Sequence, residues 1–177
     1  MAPPSKIFSY LRRLNVLSMS SSIIQPGQPA PGFSLYDSDK QKISLADYKG
    51  KNVLLLFFPQ AFTGTCTKEL CSTRDNIALY NQANAQVFGI SVDSVFTLAK
   101  FKEEQHLNFP LLSDFNKTVS TAYGSLYADF VFDMHGVSKR SAFVIDKQGI
   151  IKYAEVLEKA TDLPDFAAIE QTLKGLN

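Results

Sequence analysis

Beyond Pro26 the chain sorts into short, uninterrupted apolar runs separated by polar segments with helical spacing. Asn52-Val-Leu-Leu-Leu-Phe-Phe58 is unbroken and halted by Pro59, the pattern of a strand buried on both faces. Gln86–Val92 and Ser141–Ile145 repeat that pattern. Phe33-Ser-Leu35-Tyr and Ile43-Ser-Leu45 instead alternate apolar and polar residues around the turn-like DSDKQ, which predicts a short hairpin. Asp146-Lys-Gln-Gly149 supplies another turn, so Ile150–Val156 should return antiparallel to 141–145.

Helices are predicted between these runs: over 64–80, from a cap at Asp93-Ser94 to about Leu107, and over Lys117–Tyr123, ending at Gly124. A last helix enters through Asp162 and Pro164, places Phe166, Ile169 and Leu173 on one face, and stops near Gly175. Strands alternating with helices, then a terminal hairpin and helix, predict an α/β fold with a central mixed sheet covered on both sides. No repeat or low-complexity segment divides it, so one domain is expected over 26–177.

The dense Pro26, Gly27, Pro29, Pro31 and Gly32 mark where that domain starts. Residues 1–25 are set apart by charge: the first acidic residue is Asp37, whereas Lys6, Arg12 and Arg13 precede it. This start fits a disordered extension, an over-long start with Met19 as the true one, or a mitochondrial transit peptide. Arg12 and Arg13 interrupt the apolar stretch that a secretory signal would need. The expected location is therefore cytoplasmic, or mitochondrial if the tail is a transit peptide.

Composition narrows the function classes. Of 177 residues, 45% are apolar and 20% charged, a globular profile, and 18 basic against 17 acidic side chains leave a net charge of +1. No excess of Lys and Arg suggests a nucleic-acid or polybasic membrane binder. The longest apolar run, Val53–Phe58, is far short of the ~20 residues of a membrane span. Two cysteines do not make a disulfide scaffold.

Those two cysteines carry the chemistry. Cys66 follows a strand, a proline and a loop, in what should be the first turn of a helix, where unpaired N–H groups and the helix dipole favour a thiolate. A buried cysteine acting as a small hydrophobe is the alternative, but Thr63, Thr65 and Thr67 do not describe an apolar pocket. Cys71 lies five residues on. In a regular helix that spacing separates Cα atoms by about 8–9 Å, whereas a disulfide wants roughly 4.4–6.8 Å. The pair can bond only if the first turns unwind. The spacing is neither C-x-x-C nor a zinc pattern, and His106 and His135 are remote in sequence. No nucleophile elbow, P-loop, dinucleotide fingerprint or H-E-x-x-H is present.

Pro59-x-x-x-Thr63-x-x-Cys66 resembles the P-x-x-x-T-x-x-C signature of the peroxiredoxins, the alkyl hydroperoxide reductase and thiol-specific antioxidant superfamily. The similarity runs over about 26–175, through APGFSLYD, NVLLLFF, AFTGTC, GISVDS, FPLLSDF and Arg140 in KRSAFVID. AFTGTC and FPLLSDF are closest to E-type members, while Cys66-x4-Cys71 is similar to the Q-type, bacterioferritin-comigratory enzymes. The resemblance implies a thioredoxin-like fold with an N-terminal hairpin extension and reduction of hydrogen peroxide and organic hydroperoxides. Cys66 would become a sulfenic acid and Cys71 would resolve it as an intrachain disulfide. A thioredoxin- or glutaredoxin-like partner would restore the dithiol. No metal, haem or flavin is implied, and the chain would act as a monomer or homodimer without nucleic acid or membrane.

In the same resemblance Arg140 donates to the stretching O–O bond, Thr63 accepts from the peroxide, Pro59 limits water, and Glu69 partners Arg140. Taken singly, these could be a surface or salt-bridged arginine, a helix cap, a strand-ending proline and an exposed helix residue. Arg74 is expected to be structural. Ser125–Lys139, with Tyr127, Phe130 and Phe132 near His135, is expected to collar the pocket or form a dimer face, or else to complete the core. The competing readings are a thiol–disulfide exchange protein and a redox-sensing or chaperone-like module. A cysteine hydrolase fits least, since neither histidine sits in a motif near a nucleophile.

Overall fold

The computed structural model describes residues 24–176. The expectations of a disordered or targeting tail fall almost wholly on 1–23 and lie outside the described residues. Packing begins at Ile24, which is buried against the core just ahead of Pro26.

The predicted hairpin forms from β1 (Ser34–Asp37) and β2 (Lys42–Ser44). After a 3-10 turn at Leu45–Tyr48 come β3 (Asn52–Phe57), α1 (Gly64–Asp75), α2 (Ile77–Gln82), β4 (Ala85–Ser91), α3 (Val95–Glu104) and β5 (Leu111–Ser113). The chain continues with α4 (Thr118–Ala122), β6 (Leu126–Phe130), β7 (Met134–Ser138), β8 (Ser141–Ile145), β9 (Ile151–Val156) and α5 (Phe166–Lys174). Seven strands make one mixed sheet in the order β2-β1-β5-β4-β3-β8-β9. β3, β4 and β5 are parallel, whereas β1, β8 and β9 run antiparallel to the neighbours that precede them in sequence or space.

The period-two alternation of side chains decides how β3 is covered. Leu54, Leu56 and Phe58 face a cluster with Leu70 of α1, Tyr80 of α2, Leu98 and Phe101 of α3, and Ile169 and Leu173 of α5. Val53, Leu55 and Phe57 face the other cluster, with Val119 of α4 and Tyr123 just beyond it. The Tyr123 hydroxyl donates to the Pro31 carbonyl at 2.8 Å, so its burial leaves no polar atom stranded. Gly89 in β4 allows this density, because a Cβ there would lie 2.7 Å from Leu111 Cδ2.

Four elements depart from expectation. The helix predicted over 64–80 breaks at Asn76, whose φ of −102° and ψ of 14° leave the helix while its side-chain amide donates to the Ser72 carbonyl. Asn competes for backbone acceptors in this way and ends helices. α3 stops before Leu107, with His106 already left-handed at φ 51°. Leu111–Ser113 pairs with both β1 and β4, a strand too short to stand out in the apolar pattern. Ser125–Lys139 is no plain connector: β6 and β7 make a separate two-stranded hairpin whose turn holds Phe132 and Asp133 at positive φ.

Candidate active site

The parallel pairing of β3 with β4 runs one step past β3, where Phe58 N–H donates to the Ile90 carbonyl. Pro59 has no N–H to continue the ladder, and the chain turns away. It is buried and forms part of the floor of a cleft. The loop is then fixed from outside: Ala61 N–H donates to Asp93 Oδ2 at 2.8 Å, and Ser91 Oγ donates to the same oxygen at 2.7 Å. Phe62 takes a left-handed φ of 63° and lies 5.0 Å, ring to ring, from Phe101.

Thr63 is the extended residue ahead of α1, yet its hydroxyl makes no cap bond. It donates to the Gln60 carbonyl at 3.0 Å, which leaves the oxygen's lone pairs able to accept a hydrogen bond. Gly64, Thr65 and Cys66 are the first three helical residues, where N–H groups lack intrahelical acceptors. Cys66 is 1% exposed and a free thiol.

Arg140 reaches the same spot from the other side of β3. The antiparallel register puts Ser141 opposite Phe57, so Arg140, one residue earlier, lies beside the end of β3. Its Nη2 donates to Cys66 Sγ at 3.3 Å and its Nη1 to Glu69 Oε2. Nε and Nη2 donate to the Ala160 carbonyl at 3.2 and 2.8 Å, which fixes the plane of the guanidinium. Burial opposes the charge on Arg140, but Glu69 and Cys66 more than offset it and hold its pKa above the ordinary guanidinium value. Glu69 is wholly buried, its Oε1 without a hydrogen-bond partner, and burial pushes its carboxyl up to about 7 against the pull of Arg140.

Cys71 stands apart. It packs against the core beside the carboxyl end of α3, with Sγ donating to Gln105 Oε1 at 3.6 Å. Both cysteines are free and lie in one continuous helix. Arg74 staples α1 to the Gln105 carbonyl and pairs with Asp75, a structural role. His106 and His135 line no part of the cleft, and His135 instead bonds Asp129.

The cleft above Cys66 and Arg140 measures about 620 Å³. One wall is the β6–β7 hairpin, with Tyr127, Phe130, Val131, Phe132 and Met134. These rings sit outside the core; Phe132 is 92% exposed. Three site features had no clear signature in the chain: the Asp93 anchor, expected only to cap a helix, the Ala160 carbonyl, and Gln60, whose amide donates to Met134 Sδ at 3.2 Å. Ser94, not Asp93, caps α3, accepting from Thr97 N–H at 3.1 Å. Among the described residues no three His, Cys, Asp or Glu side chains gather as metal ligands would.

A thiol in the first turn of a helix, bonded by a buried guanidinium at the end of a mixed sheet, is an arrangement that suits thiol chemistry. Comparison with known proteins makes the class specific. The AhpC/TSA family model matches residues 26–154. Alkyl hydroperoxide reductase E of Mycobacterium tuberculosis is 40% identical over 138 residues, covering 76% of this chain and 86% of that protein. The crystal structure of peroxidoxin BcpB from the same organism is 30% identical with a TM-score of 0.77, covering 87% of this chain and 99% of that one. Reduced 2-Cys peroxiredoxin of Plasmodium vivax is 26% identical with a TM-score of 0.74, over 85% of this chain and 81% of that one. Peroxiredoxin Q of Xanthomonas campestris, at 24% identity and a TM-score of 0.72, shares the fold. The chain belongs to the AhpC/TSA family: it is a peroxiredoxin of thioredoxin-like fold and a thiol-dependent peroxidase, with an alkyl hydroperoxide reductase E among its relatives.

Proposed function

We propose that this protein reduces hydroperoxides through Cys66 and resolves the product through Cys71, with a thioredoxin- or glutaredoxin-like dithiol as the final electron donor. The observation that carries the reading is the donation from Arg140 Nη2 to Cys66 Sγ on the floor of the cleft. A neutral cysteine near pKa 8.5 is already about 3% ionised at pH 7, so fuller ionisation gives at most some thirtyfold in rate. Larger acceleration must come from donors that bind the transition state better than the ground state.

In the first step the Cys66 thiolate attacks the terminal peroxide oxygen. The S–O bond forms as the O–O bond breaks, sulfur is oxidised by two electrons, and the leaving alkoxide or hydroxide takes a proton from solvent. The Arg140 fork stabilises charge on the stretching bond, Thr63 Oγ accepts from the peroxide O–H, Pro59 excludes water, and Glu69 and the Ala160 carbonyl hold Arg140 in place. In the second step the Cys71 sulfur attacks the sulfur of the Cys66 sulfenic acid; the S–S bond forms as the S–O bond breaks, and the hydroxide leaves as water with the proton that the Cys71 thiol gives up. Because both cysteines belong to α1, this step requires its first turns to unwind. The weak helix formers Gly64, Thr65 and Thr67 make that end of α1 the cheaper one to open. The reductant then supplies two electrons and two protons.

Stopped-flow oxidation of the reduced protein, with Cys66→Ser and Cys71→Ser in parallel, tests the reading. Cys66→Ser should lose the reaction, and Cys71→Ser should complete one turnover and hold a sulfenic acid that dimedone traps. A Cys66→Ser protein that still consumes peroxide through a thiol would refute the assignment. Cys71→Ser that cycles with thioredoxin as fast as the unmodified chain would refute the resolving role alone.

A further inference from the structure

The nitrogen that touches the reactive sulfur is shared with a loop. Arg140 Nη2 donates to Cys66 Sγ at 3.3 Å and to the Ala160 carbonyl at 2.8 Å, and Nε donates to that same carbonyl at 3.2 Å. Glu69 fixes the guanidinium at Nη1, so the carbonyl decides the angle at which Nη2 meets the sulfur. Arg140 is 1% exposed, and losing this acceptor would leave buried N–H groups unpaired. Yet Ala160 lies in neither helix nor strand; it belongs to a strap of residues 157–165 that joins β9 to α5. The strap is tied at its ends, where Leu157 N–H donates to the Arg140 carbonyl at 2.9 Å and Asp165 N–H donates to Glu155 Oε2 at 3.0 Å.

Between those ends the β6–β7 hairpin holds it. The Tyr127 hydroxyl donates to the main-chain carbonyl of Glu158 at 2.9 Å, two residues before Ala160. Tyr127 is itself well fixed: it pairs with buried Val137 across the hairpin and its ring stacks on Phe130 at 5.1 Å. The base of the hairpin is anchored in the interior, where the Ser138 and Ser120 hydroxyls bond at 2.9 Å. Lys139 also reaches Glu158, but through the carboxylate, whose side chain is 80% exposed; solvent screens that pair, and it acts on the side chain rather than on the backbone.

Building on the peroxidase reading, we propose that Tyr127 is a positioning residue for Arg140, acting through the Glu158 and Ala160 carbonyls. The hairpin then sets the rate of the first step for every peroxide, including hydrogen peroxide, which is little larger than a water. Tyr127 commits its proton to the strap and makes no bond to the reacting atoms. What it supplies is the place of the guanidinium fork against the stretching O–O bond, where a small misplacement is costly.

The test is stopped-flow oxidation of the reduced full chain by hydrogen peroxide and by ethyl hydroperoxide, for the unmodified protein, Tyr127→Phe, Arg140→Lys and the double variant. Tyr127→Phe keeps the ring on Phe130 and removes the hydroxyl alone. It should lower both rate constants by the same factor, about three- to tenfold, the worth of one neutral hydrogen bond. In the Arg140→Lys background the same substitution should change either rate constant by less than about twofold, because two residues acting through one contact are not additive. An equal loss in both backgrounds would mark a general structural effect and overturn the assignment. So would a Tyr127→Phe protein as fast as the unmodified chain, or a loss confined to ethyl hydroperoxide, which would place Tyr127 against the substrate instead. Each of these results leaves the peroxidase standing. An unmodified chain that hydrogen peroxide does not oxidise would overturn both readings.

Discussion

Thr67→Ala should slow the formation of the Cys66–Cys71 disulfide by about threefold, and the reason lies in the helix that holds both cysteines. α1 is continuous from Gly64 to Asp75, and its intact geometry keeps the two Cα atoms about 8–9 Å apart, too far for an S–S bond. In the proposed cycle, resolution by Cys71 therefore passes through a state in which the turns between the cysteines are open. Thr67 lies within that stretch, its N–H donating to the Thr63 carbonyl at 2.9 Å. Alanine favours the helix over threonine by about 0.6 kcal/mol. If the residue is helical before the step and not during it, the open population falls by a factor of about three at 25 °C. Ser72→Ala is the control: Ser72 is exposed and follows Cys71, in the half of α1 stapled to α3 by Arg74. It adds comparable helix propensity outside the opening segment and should leave resolution unchanged. The assay is decay of the sulfenic acid after one equivalent of peroxide, followed by quenched flow and mass spectrometry. A Thr67→Ala protein that resolves as fast as the unmodified chain, or a Ser72→Ala protein slowed equally, would refute opening at the amino end of α1.

Arg140→Lys should lower the rate constant for hydrogen peroxide by about a hundredfold or more, since a single ammonium nitrogen cannot reproduce the four bonds that the three guanidinium nitrogens make to Cys66, Glu69 and Ala160; a loss under fivefold in stopped flow would contradict its role at the O–O bond. Glu69 predicts a pH dependence of stability. Its carboxyl is raised from 4.5 to about 7, so between those values the folded chain holds a proton that the unfolded chain releases. That contribution is complete below about pH 4.5 and is lost as pH rises through about 7. Chemical denaturation should show the unmodified protein losing up to about 3 kcal/mol relative to Glu69→Gln between pH 4.5 and 8; parallel curves would argue against a raised carboxyl. Gly89→Ala should cost about 1–3 kcal/mol in the same assay, because its Cβ would meet Leu111 Cδ2 at 2.7 Å and Phe58 Cε1 at 3.3 Å; a neutral change would mean that the sheet layer there is looser than described.

The central strands were legible because the apolar runs of β3, β4 and β8 are buried on both faces and carry no competing pattern. Pro59, Thr63 and Cys66 were legible as a spacing, and their place at the end of β3 follows from that strand alone. Arg140 and Glu69 are different. They lie 71 residues apart and meet only because β8 pairs with β3, so nothing local in either segment announces the contact. The β6–β7 hairpin stayed hidden because its turn uses Phe132 and Asp133 at positive φ, where a sequence pattern looks for Gly or Asn. Asp93 reads as a helix cap beside Ser94, and only the packing of α3 against the sheet turns it toward Ala61. The break at Asn76 is likewise a local contest between side chain and backbone that apolar periodicity does not register.

The most direct test of the account is intact mass with a free-thiol count, seconds after one equivalent of hydrogen peroxide meets the reduced protein. Attack by Cys66 followed by resolution through Cys71 predicts the loss of two hydrogens, both thiols consumed, and no covalent dimer, with Cys71→Ser instead gaining one oxygen. Unchanged mass and two surviving thiols would contradict peroxide reduction at Cys66.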